Sequence, residues 1–316
     1  MAGSVAAATK DVRTVPGRRE PALWRLVGNT PLIELEHALL LKAEWRNPGG
    51  SVKDRAAREI LRSGLALGAL PERRLLDSSS GNTAVAYAML GAAAGIGVTV
   101  CVPANISAAR RTLLRLYGAE VIETDPLEGS DGAIRRAGAI VAAEPERYWY
   151  ADQYNNPANP LAHERTTGPE IWRATRGRLT HLVAGVGTSG TLVGAGRFLK
   201  ERRRDIHIVA VQPEGPLHGL EGLKHLATAI VPGIYDPALM DETVFVATEA
   251  AAEKCRQLAR ERGLFVGWST GAALVAAESV LARSLAERGA PPLVVAIAPD
   301  GGATYLADER RLMEDV

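Results

Sequence analysis

The chain has 316 residues, 47% of them hydrophobic, enough for one large or two ordinary domains around a sizeable core. Its formal net charge of +1 offers no broad basic field to nucleic acid or to an anionic membrane. No apolar run reaches the ~18 to 20 residues that span a bilayer, and Met1 to Ala22 carries no long apolar core, so the expectation is a mobile N-terminal arm on a cytoplasmic protein.

In chain order, Gly28-Asn29-Thr30-Pro31 is a turn into a short strand, Leu32 to Leu35, and the run from Leu39 to Glu44 is a second strand. Asn47-Pro48-Gly49-Gly50 turns the chain, Ser51 is placed to cap a helix, and Val52 to Leu61 has helical apolar spacing. Lys53 thus falls in a first helical turn, where the helix dipole disfavours a cation. A neutral or covalently used amine would explain it, and a solvated surface lysine is the plainer alternative. After Pro71 comes the strand Arg74 to Asp77. Ser78-Ser79-Ser80-Gly81-Asn82-Thr83 follows, opening an alanine-rich helix to Ala94. Strand, hydroxyl-rich loop and helix aim free amides at an anion, a carboxylate being suitable, unless these residues merely cap the helix.

Ile96 to Pro103 reads as a strand, Ser107 to Tyr117 as a helix with Arg110, Arg111 and Arg115 on a solvated face, and Glu120 to Glu123 as a strand. Ile134 to Ala143 is helical and Tyr148 to Tyr150 extended. Residues 152–160, punctuated by prolines, are expected to be an irregular junction with Gln153 at its mouth. A helix over Leu161 to Trp172 and a strand over Leu179 to Ala184 lead into Gly185-Val186-Gly187-Thr188-Ser189-Gly190-Thr191, then a helix to Lys200. This loop suits a phosphate, with hydroxyls at Thr188, Ser189 and Thr191. It also satisfies GxGxxG, with Glu214 after the next strand, Ile206 to Val211, so a dinucleotide reading stands beside it.

Residues 216–233, with Lys224 and His225, are irregular and read as a binding loop or lid. Thr243 to Val246, Ala250 to Arg262, the turn Gly267-Trp268-Ser269-Thr270-Gly271 with its helix to Ala282, and Leu293 to Ala298 complete the pattern. Pro299-Asp300-Gly301-Gly302 lies at a carboxyl strand end, where open sheets place ligands. The repeated strand-helix unit predicts an α/β doubly wound parallel sheet. The two cysteines, Cys101 and Cys255, fall in apolar stretches and read as core residues. The six histidines lack metal-ligand spacing, so no metal site is expected.

Four motifs in one order, Asn47 to Arg55, Ser80 to Thr83, Gly187 to Thr191 and Gly267 to Ser269, together resemble the cysteine synthases among the fold-type II pyridoxal phosphate enzymes. Asp152 to Pro157 and Thr166 to Trp172 look most like the cysteine synthase B branch. The resemblance runs from about Leu26 to Leu306 and implies a tryptophan synthase β-like fold: two doubly wound domains with the cofactor, pyridoxal 5'-phosphate, in the cleft between them. Residues 47–156 would form the smaller, mobile domain and residues 1–46 with 157–316 the larger. By the same likeness Lys53 would hold the cofactor as an internal aldimine and act as base, and Asn82 would bond its ring 3'-oxygen. Gly187, Thr188, Ser189, Gly190 and Thr191 would cradle its phosphate, and Ser269 would face its pyridine nitrogen. Ser79, Ser80, Gly81, Asn82, Thr83 and Gln153 would receive the substrate carboxylate.

The implied reaction is β-replacement through an α-aminoacrylate, making L-cysteine or S-sulfocysteine from O-acetyl-L-serine or O-phospho-L-serine and sulfide or thiosulfate. Lys224 is the expected tuner of an anionic co-substrate. A homodimer is implied. Alternatives are a cystathionine β-synthase-like enzyme, a serine/threonine dehydratase and, on the glycine run alone, an NAD-dependent dehydrogenase.

Overall fold

A strand buried on one face alternates apolar and polar residues, whereas a strand buried on both runs apolar without interruption. Val98–Pro103 and Val294–Ala298 are of the second kind, with every residue buried, and each lies inside a different sheet. The computed structural model describes residues 19–286 and 291–306, so most of the expected N-terminal arm lies outside the described residues.

The first sheet contains β1 (Leu32–Glu36), β2 (Leu39–Ala43), β7 (His181–Gly185), β8 (His207–Pro213), β9 (Glu242–Val246) and β10 (Val294–Ala298), in the order β1-β2-β10-β7-β8-β9. The second contains β3 (Arg74–Ser78), β4 (Val98–Pro103), β5 (Glu120–Thr124) and β6 (Tyr148–Tyr150), in the order β5-β4-β3-β6. All pairings are parallel except β1 with β2, a hairpin at the sheet edge. The larger sheet is therefore mixed rather than wholly parallel. Two residues separate Glu36 from Leu39, too few for the crossover a parallel pair requires.

The helices are α1 (Lys53–Ala66), α2 (Asn82–Ala94), α3 (Ala108–Leu116), α4 (Gly129–Ala143), α5 (Ala158–Arg165), α6 (Thr167–Ala174), α7 (Gly190–Arg202), α8 (Thr248–Arg262) and α9 (Trp268–Ala286). Alternate residues of the larger sheet face opposite layers. Val183, Val209 and Val294 pack with Leu258 of α8 and Leu274 of α9, whereas Leu182, Ile208 and Val295 pack with Leu192 and Leu199 of α7. The smaller sheet is covered in the same way by α1 and α2 on one face and α4 on the other.

The helix expected over 161–172 is two helices that meet at Thr166, whose φ of −129° and ψ of −65° leave the helical region. The first of them begins at Ala158, so Asn159 and Pro160 are helical rather than irregular. Pro160 is tolerated there because first-turn amides have no intrahelical acceptor to lose. Close packing of α5 on α7 depends on Gly194, where a Cβ would lie 1.9 Å from the Pro160 carbonyl oxygen.

In both sheets the chain order reverses beside a central strand. In the smaller sheet β4 lies on one side of β3 and β6 on the other, so the segments leaving β3 and β6 diverge at their carboxyl ends. In the larger sheet β8 and β10 flank β7 and open a second crevice. Such reversals are where open α/β sheets bind ligands.

Candidate active site

The two crevices face each other across one cavity. From the smaller sheet come Ser78 to Thr83, which join β3 to α2, and Gln153, which follows β6. From the larger sheet come Gly185 at the end of β7, Gly187, Thr188 and Thr191 after it, Ser269 at the start of α9, and Pro299 and Asp300 after β10. Lys53 and Lys224 also line the cavity. Of the residues expected from sequence, only Ser189 and Gly190 lie off the cavity surface. Glu214, which the dinucleotide reading needs, is exposed and does not line it.

Lys53 is the first residue of α1, and its backbone N–H donates to Ser51 Oγ at 3.2 Å. Ser51 thus satisfies the expected amide, although Val52 occupies the capping position. Burial pushes the Lys53 amine below its ordinary pKa, against a weaker opposing pull from Asp300. Among the described residues it has no salt-bridge partner. The arrangement makes the amine easier to deprotonate than a solvated lysine.

The helix that carries Lys53 is anchored by Arg55, wholly buried two residues on. Arg55 Nε and Nη2 donate to the two oxygens of Glu44 at 2.6 and 2.8 Å, and Nη1 and Nη2 to those of Glu170 at 2.8 Å each. Lys42 Nζ adds a pair to Glu170 at 2.7 Å. Burial opposes ionisation of Glu170, but the bonds and charge of Arg55, with Lys42 beside it, hold its pKa at about 2.

At the carboxylate loop, α2 begins at Asn82 with Gly81 before it, and no side chain caps the helix. The hydroxyls and amides there are not consumed by capping. Asn82 Nδ2 instead reaches across the cleft to Asp300 Oδ2 at 2.7 Å. Gln153 ties this loop together: its side chain accepts from Thr83 Oγ1 and donates to the Ser78 carbonyl, each at 2.8 Å, while its backbone N–H donates to Asp77 at 3.2 Å. Asp77 is fully buried, and burial pushes its carboxyl up to about 7.

The phosphate loop is shaped by close approach. A Cβ on Gly187 would sit 2.3 Å from the Gly222 carbonyl oxygen, so only glycine fits. Thr188 Oγ1 accepts from Asn159 Nδ2 at 3.1 Å. Ser189 has φ +70°, and its buried hydroxyl finds no partner among the described residues. That hydroxyl lies off the cavity; Gly187, Thr188 and Thr191 line it at the start of α7, where a ligand phosphate fits.

Asp300 was marked in the sequence only by its place after the last strand. Its carboxyl accepts from Asn82 and, at 2.6 Å, from Tyr305 Oη, and burial raises its pKa. Arg110 is also unlike its expectation: it pairs with Glu221 and lies 5.9 Å from the Tyr305 ring centroid, although most of α3, Arg115 included, faces water as expected. Lys224 likewise is not free. Its amine pairs with Asp131 of α4 at 3.0 Å and stands 5.0 Å from the centre of the Tyr154 ring. Two ion pairs therefore join the 219–225 loop to α3 and α4 across the mouth.

A buried amine between a carboxylate loop and a phosphate loop, at the facing switch points of two α/β sheets, defines a site for an aldehyde cofactor that carries a phosphate. The chain belongs to the pyridoxal-phosphate dependent enzyme family, whose model matches residues 23–300. It is 47% identical over 295 residues to a cysteine synthase of Aquifex aeolicus, covering 90% of each chain. It is 39% identical over 293 residues to cysteine synthase B of Salmonella typhimurium, covering 90% of this chain and 94% of that one. A crystal structure of cysteine synthase from Entamoeba histolytica superposes with a TM-score of 0.86 at 30% identity, over 100% of this chain and 96% of the other. Among the described residues no helix is long and apolar enough to cross a membrane.

Proposed function

We propose that this chain makes L-cysteine by β-replacement, from O-acetyl-L-serine and sulfide. The observation that carries the reading is Lys53, a buried amine opening on the same cavity as a carboxylate loop and a phosphate loop. Pyridoxal phosphate, when bound, supplies the electron sink that makes the amino acid's Cα proton acidic. Residues 187–191 would hold its phosphate, Asn82 its ring 3'-oxygen, and Ser269 its pyridine nitrogen. A serine hydroxyl does not protonate that nitrogen as a carboxylic acid does, which favours elimination over prolonged carbanion chemistry.

Ser79, Ser80, Gly81, Asn82, Thr83 and Gln153 orient the substrate carboxylate at the start of α2. Lys53 Nζ takes the Cα proton as general base. Acetate leaves Cβ with the bonding electron pair, the sulfur nucleophile adds there, and Lys53 returns the proton to Cα. The Arg110–Glu221 and Lys224–Asp131 pairs hold the 219–225 loop against α3 and α4 beside the cavity. Lys224 biases the site among anionic sulfur donors and activated serines, thiosulfate and O-phosphoserine included. Residues 47–156 move as the smaller domain against 1–46 with 157–316, and the protein works as a cytoplasmic homodimer.

The test is direct. Protein loaded with pyridoxal phosphate absorbs near ~410 nm through its lysine-bound cofactor and converts O-acetylserine and sulfide to cysteine. Lys53→Ala loses both properties. Pyruvate as the main product, with no cysteine, would instead assign a dehydratase.

A further inference from the structure

His163 lies on α5 behind the phosphate loop, off the cavity surface and 1% exposed. Each ring nitrogen is within reach of one hydroxyl. Nδ1 is 2.9 Å from Thr167 Oγ1, at the start of α6, and Nε2 is 3.3 Å from Thr191 Oγ1, in the first turn of α7. Burial, assisted by the charge of Arg55, pushes the ring's pKa down to about 3, so it is neutral and carries a single N–H.

Thr167 decides which nitrogen holds that hydrogen. Its hydroxyl is fully buried, and among the described residues its proton has no other acceptor than Nδ1. A buried hydroxyl gives its proton to an available acceptor. Thr167 therefore donates to Nδ1, which leaves the ring hydrogen on Nε2 and directs it at Thr191 Oγ1. With its oxygen occupied from behind, Thr191 has its own proton free for the cavity that it lines.

We infer that His163 is a positioning residue for the cofactor: fixed as the Nε2–H tautomer between Thr167 and Thr191, it turns the Thr191 hydroxyl into a donor aimed at the phosphate. The inference rests on reading residues 187–191 as the phosphate cradle. Its consequence is directional. A neutral imidazole adds no charge to the cradle, but it removes the choice a threonine hydroxyl otherwise has between donating and accepting.

The holoenzyme labelled with 15N-histidine tests the tautomer without any mutation. The expected spectrum has an unprotonated Nδ1 and a protonated Nε2 for the ring assigned to His163 by its disappearance in His163→Gln. An Nδ1–H ring or an imidazolium overturns the inference. The second test is the dissociation constant of pyridoxal phosphate, with the 31P shift of the bound cofactor. His163→Phe weakens binding ~10-fold, as expected for one charge-assisted bond misdirected, and moves the 31P resonance. His163→Gln, whose amide can donate from a similar place, recovers most of both. Thr191→Val loses ~10-fold, and adding His163→Phe to it costs less than ~2-fold more, because the two act through one bond. Unchanged affinity in His163→Phe, or losses that multiply in the double variant, overturns the inference. Wild-type protein that binds the cofactor but makes no cysteine sinks the proposed reaction while leaving these outcomes readable; wild-type protein that binds none sinks both.

Discussion

Replacing Arg55 by lysine conserves the charge and removes the fork. Four contacts of 2.6 to 2.8 Å tie the guanidinium to Glu44 and Glu170, and a fifth reaches Thr30 Oγ1 at 3.1 Å. A lysine ammonium has three donors on one atom and cannot engage two carboxylates in bidentate fashion, so at least two charge-assisted bonds disappear. Each is worth about 1.5–3 kcal/mol, and breaking a buried pair costs about 3–5 kcal/mol because the abandoned charge stays buried. Glu44 is 0% exposed and has nowhere to rehydrate. The expected loss in Arg55→Lys is thus about 3–5 kcal/mol in urea unfolding at pH 7. Turnover falls with it, because the same helix aims Lys53. A variant within about 1 kcal/mol of wild type, with turnover intact, would show that α1 is held by its apolar face alone and would refute the reasoning.

Four further outcomes are expected. Glu170 has its pKa held at about 2, below the ordinary 4.5, so its contribution is complete above 4.5 and is lost as pH falls toward 2; Glu170→Gln should flatten that acid limb of the stability curve, and an unchanged limb counts against the pairing. Ser189→Ala should raise apoprotein stability by ~1 kcal/mol through loss of an orphaned hydroxyl while leaving pyridoxal phosphate binding within ~2-fold, because that side chain lies off the cavity; a loss of stability contradicts the orphaned state. Asp300→Asn retains a neutral acceptor for Asn82 and Tyr305 but removes the charge that opposes burial at Lys53. The pH midpoint for capture of pyridoxal phosphate by the apoprotein should then move acidward, and an alkaline shift would exclude the coupling. Lys224→Ala should lose more activity with thiosulfate or O-phosphoserine than with sulfide or O-acetylserine, and equal losses on all of them deny Lys224 a part in selectivity.

Motifs that line the cavity were legible because each depends on local chain geometry. The Ser79 to Thr83 loop, the Gly187 to Thr191 loop and Lys53 each sit where a strand ends or a helix starts, and those positions follow from apolar periodicity and turn residues. Residues acting across the fold left no such trace. Asn82 and Asp300 are 218 positions apart, and Arg110 and Glu221 are 111 apart; only the facing of two sheets brings them together. His163 and Asn159 were hidden for another reason: apolar spacing runs on through the break at Thr166, and the Gly168-Pro169 pair that marks the start of α6 is outweighed by it. Arg110 reads as solvent-facing under helical periodicity, which cannot know that a second sheet stands opposite.

The oddity of a lysine opening a helix has a physical resolution in this fold. A cation there meets the positive end of the α1 dipole, loses water by burial, and has the weaker pull of Asp300 to compensate, so the stronger influences favour the uncharged amine. The cost of tolerating it is displaced onto Arg55, two residues further on, whose paired carboxylates hold the helix end where it would not settle for Lys53's sake. Restoring a full charge to Lys53 by supplying a nearby carboxylate would therefore stabilise the helix start and remove the nucleophile by the same change.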